Sequence, residues 1–219
     1  MSSPARIVRV DAAADGATLT AALADAAAVI GGGGIVAYPT ETVYGLAADP
    51  MRDDAVAAIF AAKGRGGGEA LPLIATDVAA AASVAAAWTD TLARLADAFW
   101  PGPLTLIVAL RPGAVAAGVS AGRSTVAVRV SSHPVARALA ACAPSGLITA
   151  TSANRSGSPS LATAAEVVAA LGSVVPLVID AGAAPGGLAS TIVDVSAGPP
   201  RLIRPGPVAF DRVLESLGS

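Results

Sequence analysis

Short runs of Val, Ile and Leu alternate along this chain with longer Ala-rich stretches, and Gly or Pro stands at many of the joints. That interleaving constrains the fold more than any single residue, because short branched-aliphatic runs suit strands and Ala-rich runs suit helices. The pattern predicts strand Arg6–Val10, a helix from Thr18 to Ile30, strand Ile35–Tyr38 and a helix Asp53–Ala62 with Asp53 or Asp54 as N-cap. Strand Leu71–Ala75, an Ala-rich helix capped by Asp77 and an amphipathic helix Thr89–Phe99 follow, the last stopped by Trp100-Pro101-Gly102-Pro103. Leu104–Leu110 and Thr125–Val130 are the clearest strands. After them come a helix from Pro134, strand Leu147–Thr149, a polar loop to Pro159 and a helix Thr163–Leu171. Strands Leu177–Asp180, Thr191–Val195 and Arg201–Ile203 and a short helix Ala209–Leu217 end the series. Some strands are joined by short turns and others by helices, so the expected class is mixed α/β, a twisted mixed sheet with helices packed on it.

With 219 residues, 54% hydrophobic but only 3% aromatic, the chain is long enough for one substantial core of small aliphatic side chains, and a single domain over 1–219 is expected. The uncharged stretch Ala26–Thr40 contains Gly31–Gly34 and Pro39, which rules it out as a membrane span. Met1–Arg6 has no apolar segment ahead of Arg6, Arg9 and Asp11, so a cytoplasmic location is expected. Gly31–Gly34 joins a helix to a strand, the reverse of a phosphate-binding P-loop, and reads as a helix stop.

Cys142 and His133 are the only residues of their kinds, which leaves no ligand cluster for zinc and no disulfide within the chain; no resident metal site is expected. Cys142 lies in an Ala-rich run and reads as a small buried hydrophobe. His133, just before Pro134, suits a helix entry better than a catalytic triad. A net charge of −2 shows no basic excess of the kind that marks general nucleic-acid binders.

Polar residues gather at the predicted strand ends: Thr40-Glu41-Thr42, Lys63-Gly64-Arg65, Thr125 with Arg129, Thr151-Ser152-Ala153-Asn154, Ser190-Thr191, and Arg204. Such a set can hold anions through charge-assisted hydrogen bonds and offers neither a nucleophile triad nor a dense carboxylate group. Lys63 complements the C-terminus of its helix or reaches an anion, and Gly66–Gly68 beside it could close over a ligand. Arg129 alternates against Val126, Val128 and Val130, so its guanidinium leaves the core face and needs a partner, which a substrate carboxylate or phosphate would supply.

Tyr38–Leu46 (YPTETVYGL), Lys63-Gly64-Arg65 with Pro72-Leu73-Ile74, Phe99–Leu106 (FWPGPLTL), Thr125–Arg129 (TVAVR), Thr151–Asn154 (TSAN), Ser190–Asp194 (STIVD) and Leu202–Gly206 (LIRPG) together resemble the threonylcarbamoyl-AMP synthase family, the YrdC-type domain, in order from about residue 28 to 208. The resemblance implies a sheet with a concave ligand-binding face and an enzyme that joins L-threonine, bicarbonate and ATP. It would release pyrophosphate and form threonylcarbamoyl-adenylate, with Mg²⁺ carried by the ATP. A downstream threonylcarbamoyl transferase complex would receive the adenylate to modify the tRNA adenosine next to the anticodon. Carried over residue by residue, the resemblance makes Thr40, Arg129, Ser152 and Ser190 threonine contacts, and Lys63 with Arg65 the clamp on phosphate and carbamate. It makes Lys63, Thr125, Asn154 and Arg204 nucleotide contacts. Gly66 stands where many relatives have proline, Thr76 where they have histidine, and Ser160-Leu161-Ala162 where Ser-Pro-Thr is common. Two other readings share the scaffold: an RNA-binding module, with a tRNA or RNA contact, and a relative that transfers a different carbamoyl group to AMP.

Overall fold

The computed structural model describes residues 5–64, 66 and 68–218. Its elements begin with β1 (Arg6–Arg9), α1 (Gly16–Ala22), α2 (Ala24–Gly31), β2 (Val36–Tyr38), β3 (Gly45–Ala47) and α3 (Asp53–Lys63). Next are β4 (Leu73–Ala75), α4 (Val78–Ala82), α5 (Asp90–Phe99), β5 (Leu104–Ala109), α6 (Ala117–Ser120), β6 (Thr125–Val130) and α7 (Pro134–Ala141). The chain continues through β7 (Leu147–Thr149), β8 (Thr151–Ser152), α8 (Ala164–Leu171), β9 (Leu177–Asp180), β10 (Thr191–Asp194), β11 (Arg201–Arg204) and α9 (Phe210–Ser216). The mixed α/β class stands.

Hydrogen bonding divides the strands into two sheets: a five-stranded one in the order β1-β9-β2-β3-β8, and a six-stranded one in the order β11-β10-β5-β6-β4-β7. Each mixes parallel and antiparallel pairs. The chain passes between the sheets three times, from β3 to β4, from β7 to β8 and from β9 to β10; the shortest passage is Ala150, between β7, at one edge of the larger sheet, and β8, at one edge of the smaller. A seam of polar contacts ties the β7 edge of the larger sheet to β3 and β2 of the smaller. Thr149 Oγ1 accepts from the Ala48 N–H and donates to the Leu46 carbonyl, each at 2.9 Å, and the Tyr38 hydroxyl donates to the Thr149 carbonyl at 3.1 Å.

Side-chain alternation explains why so many strands read as unbroken apolar runs: both faces are covered. Ala37 and Val178 pack into the larger hydrophobic cluster, with α3, α5 and α8, while Val36, Tyr38, Leu177 and Ile179 pack into the second, against α1, α2 and α7. In β6, Val126, Val128 and Val130 enter the larger cluster, which leaves Arg129 on the opposite face, as the alternation predicts.

Some local expectations are corrected. The single helix from Thr18 to Ile30 is two, broken at Leu23, whose N–H is shared between the Leu19 and Thr20 carbonyls. Arg52, not Asp53 or Asp54, is the N-cap of α3; both aspartates lie in the first turn, where their charge favours the positive helix end. Asp77 caps α4 as expected; Thr89, read as the first residue of its helix, is instead the N-cap of α5, and Thr163 with Glu166 forms a full capping box on α8. β3, β8 and α6 carry too few apolar residues to signal themselves.

Candidate active site

Proline fixes where the first functional turn begins. β2 ends at Tyr38 because Pro39 has no N–H for the ladder, and β3 pairs back on β2 from Gly45. Thr40 organises the turn between them: its Oγ1 accepts from the Thr42 and Val43 N–H groups at 3.1 and 3.2 Å and donates to the Val43 carbonyl at 2.7 Å. Gly45 lets β3 close over the Tyr38 ring, which a Cβ would meet at 3.1 Å. The Tyr44 hydroxyl donates to the Gly182 carbonyl, and burial, helped by the Asp180 charge, pushes its phenol up to about 12.

A cavity of about 370 Å³ opens between this turn and the larger sheet. Thr40, Thr42, Gly45 and Ser152 line one wall, and Thr105, Arg129, Ser190, Ile192 and Arg204 line the other. Strand register explains the second wall. Ile192 pairs with Thr105 on one side and with Arg204 on the other, and Val128 pairs with Leu106, so these strands bring their side chains to one face across about 14 Å. A β-bulge between Ile192 and Val193 makes this possible: Val193 faces Leu202, so regular register would set Ile203 opposite Ile192, but the bulge puts Arg204 there.

Arg204 turns onto Ser190, its Nε and Nη2 donating to the Ser190 carbonyl at 3.1 and 2.8 Å and Nη2 reaching Ser190 Oγ at 3.1 Å. Ser190 Oγ also shares a hydrogen bond with Thr105 Oγ1 at 2.8 Å. Gly206 lies flat against this segment, so close that a Cβ would fall 2.4 Å from the Thr191 nitrogen. Partial desolvation and the nearby Arg129 charge pull the Arg204 guanidinium below the usual arginine range. The two cations therefore face one space, an arrangement that favours an anion.

A smaller cavity of about 170 Å³ adjoins the first and shares Glu69, Thr151 and Ser152 with it; Lys63 and Asn154 line it too. Lys63 ends α3, which stops because Gly64 takes the left-handed conformation, φ 64°. Its ammonium is buried and donates to the carbonyls of Ser152 and Asn154 at 2.6 and 2.8 Å, with Asn154 Oδ1 at 3.3 Å. Ser152 Oγ donates to Asn154 Oδ1, and Asn154 Nδ2 donates to the Ser158 carbonyl. More than a helix-end charge, Lys63 clips α3 to the Thr151–Asn154 loop.

Of the residues singled out from sequence, Thr40, Arg129, Ser152, Ser190 and Arg204 thus meet in the larger cavity, and Lys63 and Asn154 in the smaller. Arg65 lies outside the described residues, as does Gly67 of the glycine run. Thr125 stands at the far end of β6, opposite Ala109, and lines neither cavity. Sequence reasoning placed Glu41 in the Thr40-Glu41-Thr42 cluster but gave it no role; its carboxylate accepts from Arg129 Nη1 and Ser131 Oγ. The partner expected from a substrate is supplied, in part, by the chain itself. The signal was present: Glu41 is the one acid in a turn otherwise built to face Arg129. Glu69 is a further cavity residue that no motif marked, and Thr105 lies within the Phe99–Leu106 motif but carried no assigned role.

His133 precedes α7 with Pro134 at the first helical position, and burial lowers its imidazole pKa. Cys142 caps the same helix and packs on the second cluster, only partly buried where full burial was expected, and that burial raises its thiol pKa. Among the described residues no helix is long and apolar enough to cross a membrane.

Known proteins resemble this chain in sequence and fold. A threonylcarbamoyl-AMP synthase of Bacillus subtilis (strain 168) is 38% identical over 197 residues, covering 90% of this chain and 56% of the relative. A putative threonylcarbamoyl-AMP synthase of Mycobacterium tuberculosis (strain ATCC 25618 / H37Rv) is 36% identical over 196 residues, covering 90% of this chain and 89% of the relative. The crystal structure of P. abyssi Sua5 complexed with L-threonine matches with a TM-score of 0.88 at 34% identity, over 97% of this chain and 61% of that one. The chain therefore spans little more than half the length of the Bacillus and Pyrococcus proteins. E. coli YciO has the same fold, with a TM-score of 0.80 at 20% identity. The profile of the Sua5_yciO_yrdC family, described as telomere recombination, matches residues 28–206, a span that contains every residue of both cavities; the chain belongs to the Sua5/YciO/YrdC family.

Proposed function

We propose that this chain is an L-threonylcarbamoyladenylate synthase, a nucleotidyltransferase that makes threonylcarbamoyl-AMP and pyrophosphate from L-threonine, bicarbonate and ATP. The observation that carries the reading is the pair of adjoining cavities, one holding two guanidiniums and a set of hydroxyls, the other a buried ammonium and an amide, with Ser152 common to both. An amino acid's carboxylate suits the Arg129 side of the first cavity, and a nucleotide suits Arg204 together with the second. The names of the relatives and the L-threonine in the Pyrococcus structure support the same assignment.

In this reading Arg129 pairs the threonine carboxylate, while Thr40, Ser152 and Ser190 supply polar contacts around the rest of the molecule. Condensation of the amine with bicarbonate forms the carbamate C–N bond as a C–O bond of bicarbonate breaks and water leaves; a carbamate oxygen then attacks the α-phosphorus of ATP, the bond from the α-phosphorus to the α–β bridging oxygen breaks, and pyrophosphate leaves. No protein nucleophile is needed, so the chain's work is positioning and charge neutralisation. Lys63 and Arg65 neutralise carbamate and phosphate, and Asn154 and Arg204 hold the nucleotide; Thr125 belongs to this reading only if the nucleotide reaches the far end of β6. Mg²⁺ arrives on the ATP in this reading. Residues 1–219 act as one catalytic domain in the cytoplasm and pass the adenylate to a transferase that modifies tRNA.

Pyrophosphate release from Mg·ATP, with L-threonine and bicarbonate omitted in turn, tests the proposal. Release that requires both is the expected result. Release indifferent to threonine, or supported by carbamoyl phosphate in place of threonine and bicarbonate, would move the chain to another acyl donor.

A further inference from the structure

A strand determines where the Cβ of Arg129 leaves the sheet, but a guanidinium on a flexible stem still sweeps several ångströms beyond it. In this structure the sweep is stopped from behind. Nη1 of Arg129 donates to Oε1 of Glu41, in a pair whose side chains are only 7% and 13% exposed. Arg129 lines the larger cavity and Glu41 does not, so the carboxylate grips the guanidinium on its hidden side. Glu41 is itself held from two directions. The turn that carries it is locked by Thr40 Oγ1, and its second oxygen accepts from Ser131 Oγ. Ser131 is fixed in turn by the entrance of α7: its Oγ accepts from the His133 N–H at 3.2 Å, and its carbonyl accepts from Arg137 Nη1 at 2.7 Å.

We infer that Glu41 is a positioning residue for recognition of the amino-acid carboxylate, acting through Arg129 so that the remaining N–H edge of the guanidinium faces the cavity. The inference rests on the threonine reading of that cavity. Charge points the same way. Arg129 and Arg204 face one space, and Glu41 supplies a counter-charge that lets Arg129 stay there before an anion arrives.

Steady-state pyrophosphate release by the wild-type protein, Glu41→Ala and Glu41→Gln, with threonine and threoninamide as alternative substrates, tests it. Glu41→Ala should raise the threonine KM about 30-fold while kcat and the ATP KM stay within about threefold, because a charge-assisted bond that orients a binding group is lost. Its preference for threonine over threoninamide should shrink with the same factor. Glu41→Gln keeps an oxygen for Arg129 and a polar group for Ser131, and should recover most of the loss. A melting temperature that falls while KM and the threoninamide preference hold steady would leave Glu41 a structural residue and overturn the inference; so would glutamine no better than alanine. If Glu41→Ala does not fold, Ser131→Ala removes one tether and keeps the Glu41–Arg129 pair; an unchanged threonine KM there would overturn the inference as well. A wild-type protein that releases pyrophosphate without regard to threonine would instead remove the underlying reading, and the inference with it.

Discussion

Substituting Gly206 with alanine tests whether backbone contact at the end of β11 sets the position of Ser190. The added Cβ would lie 2.4 Å from the Thr191 nitrogen, 2.5 Å from the Ala189 oxygen and 2.7 Å from the Ser190 carbonyl carbon, where ordinary contact begins at 3.4 Å. All three are backbone atoms, so no rotamer change relieves the overlap; one segment must retreat by about 1 Å. Overpacking of this kind costs about 1–3 kcal/mol, or about 2–12 °C in melting temperature for a chain of this size. The functional loss should be larger than that suggests. Ser190 offers its carbonyl and hydroxyl to Arg204 and its hydroxyl to Thr105, and a displacement of about 1 Å in a positioning group costs on the order of 100-fold in rate. We therefore expect kcat/KM for threonine-dependent pyrophosphate release to fall about 100-fold in a protein that still melts cooperatively. A kcat/KM within about threefold of wild type would refute the reasoning, because it would mean that Ser190 keeps its place without the close approach of Gly206.

Lys63→Met keeps the buried stem but strips the ammonium from the Ser152 and Asn154 carbonyls. It should lower kcat at least about 100-fold at saturating threonine, with a much smaller change in threonine affinity by calorimetry; equal small effects on both would reduce Lys63 to a clip. Thr149→Val leaves the Ala48 N–H and the Leu46 carbonyl without their hydroxyl, at a cost of about 3 kcal/mol by denaturant unfolding; a loss below about 0.5 kcal/mol would show that this hydroxyl does not join the sheets. Tyr44 sets an alkaline limit. Its phenol is raised from 10.0 to about 12 in the fold, so the stability it lends is complete below pH 10 and is lost as pH climbs towards 12. Tyr44→Phe should flatten the fall of melting temperature across that window, and parallel wild-type and mutant curves would count against the assignment.

Much of this was legible in the chain. The Val alternation of β6 identified both the strand and the face on which Arg129 stands, because a period of two is a local property. Pro39 marked the end of β2 for an equally local reason. What stayed hidden depends on pairing between distant segments. Nothing near Ala150 announces that the chain changes sheets there, since β7 and β8 are distinguished only by their partners β4 and β3. The same holds for Arg204. Read with a period of two, Arg201–Arg204 does not say which of Ile203 and Arg204 meets Ile192, and only the bulge decides it. Glu41 was visible as a residue but not as the partner of Arg129, because 88 positions separate them.

The seam at Thr149 gives the cavity a mechanical meaning. One wall of the cavity comes from the smaller sheet and its turn, the other from the larger sheet, so a molecule seated between them is a cross-brace across the joint. Filling the site then does more than satisfy two arginines: it ties together two sheets between which the polypeptide passes three times. A ligand at 100 times its dissociation constant adds about 2.7 kcal/mol to the folded state. Because the two walls belong to different sheets, that increment bears on unfolding of the two sheets together rather than of either alone.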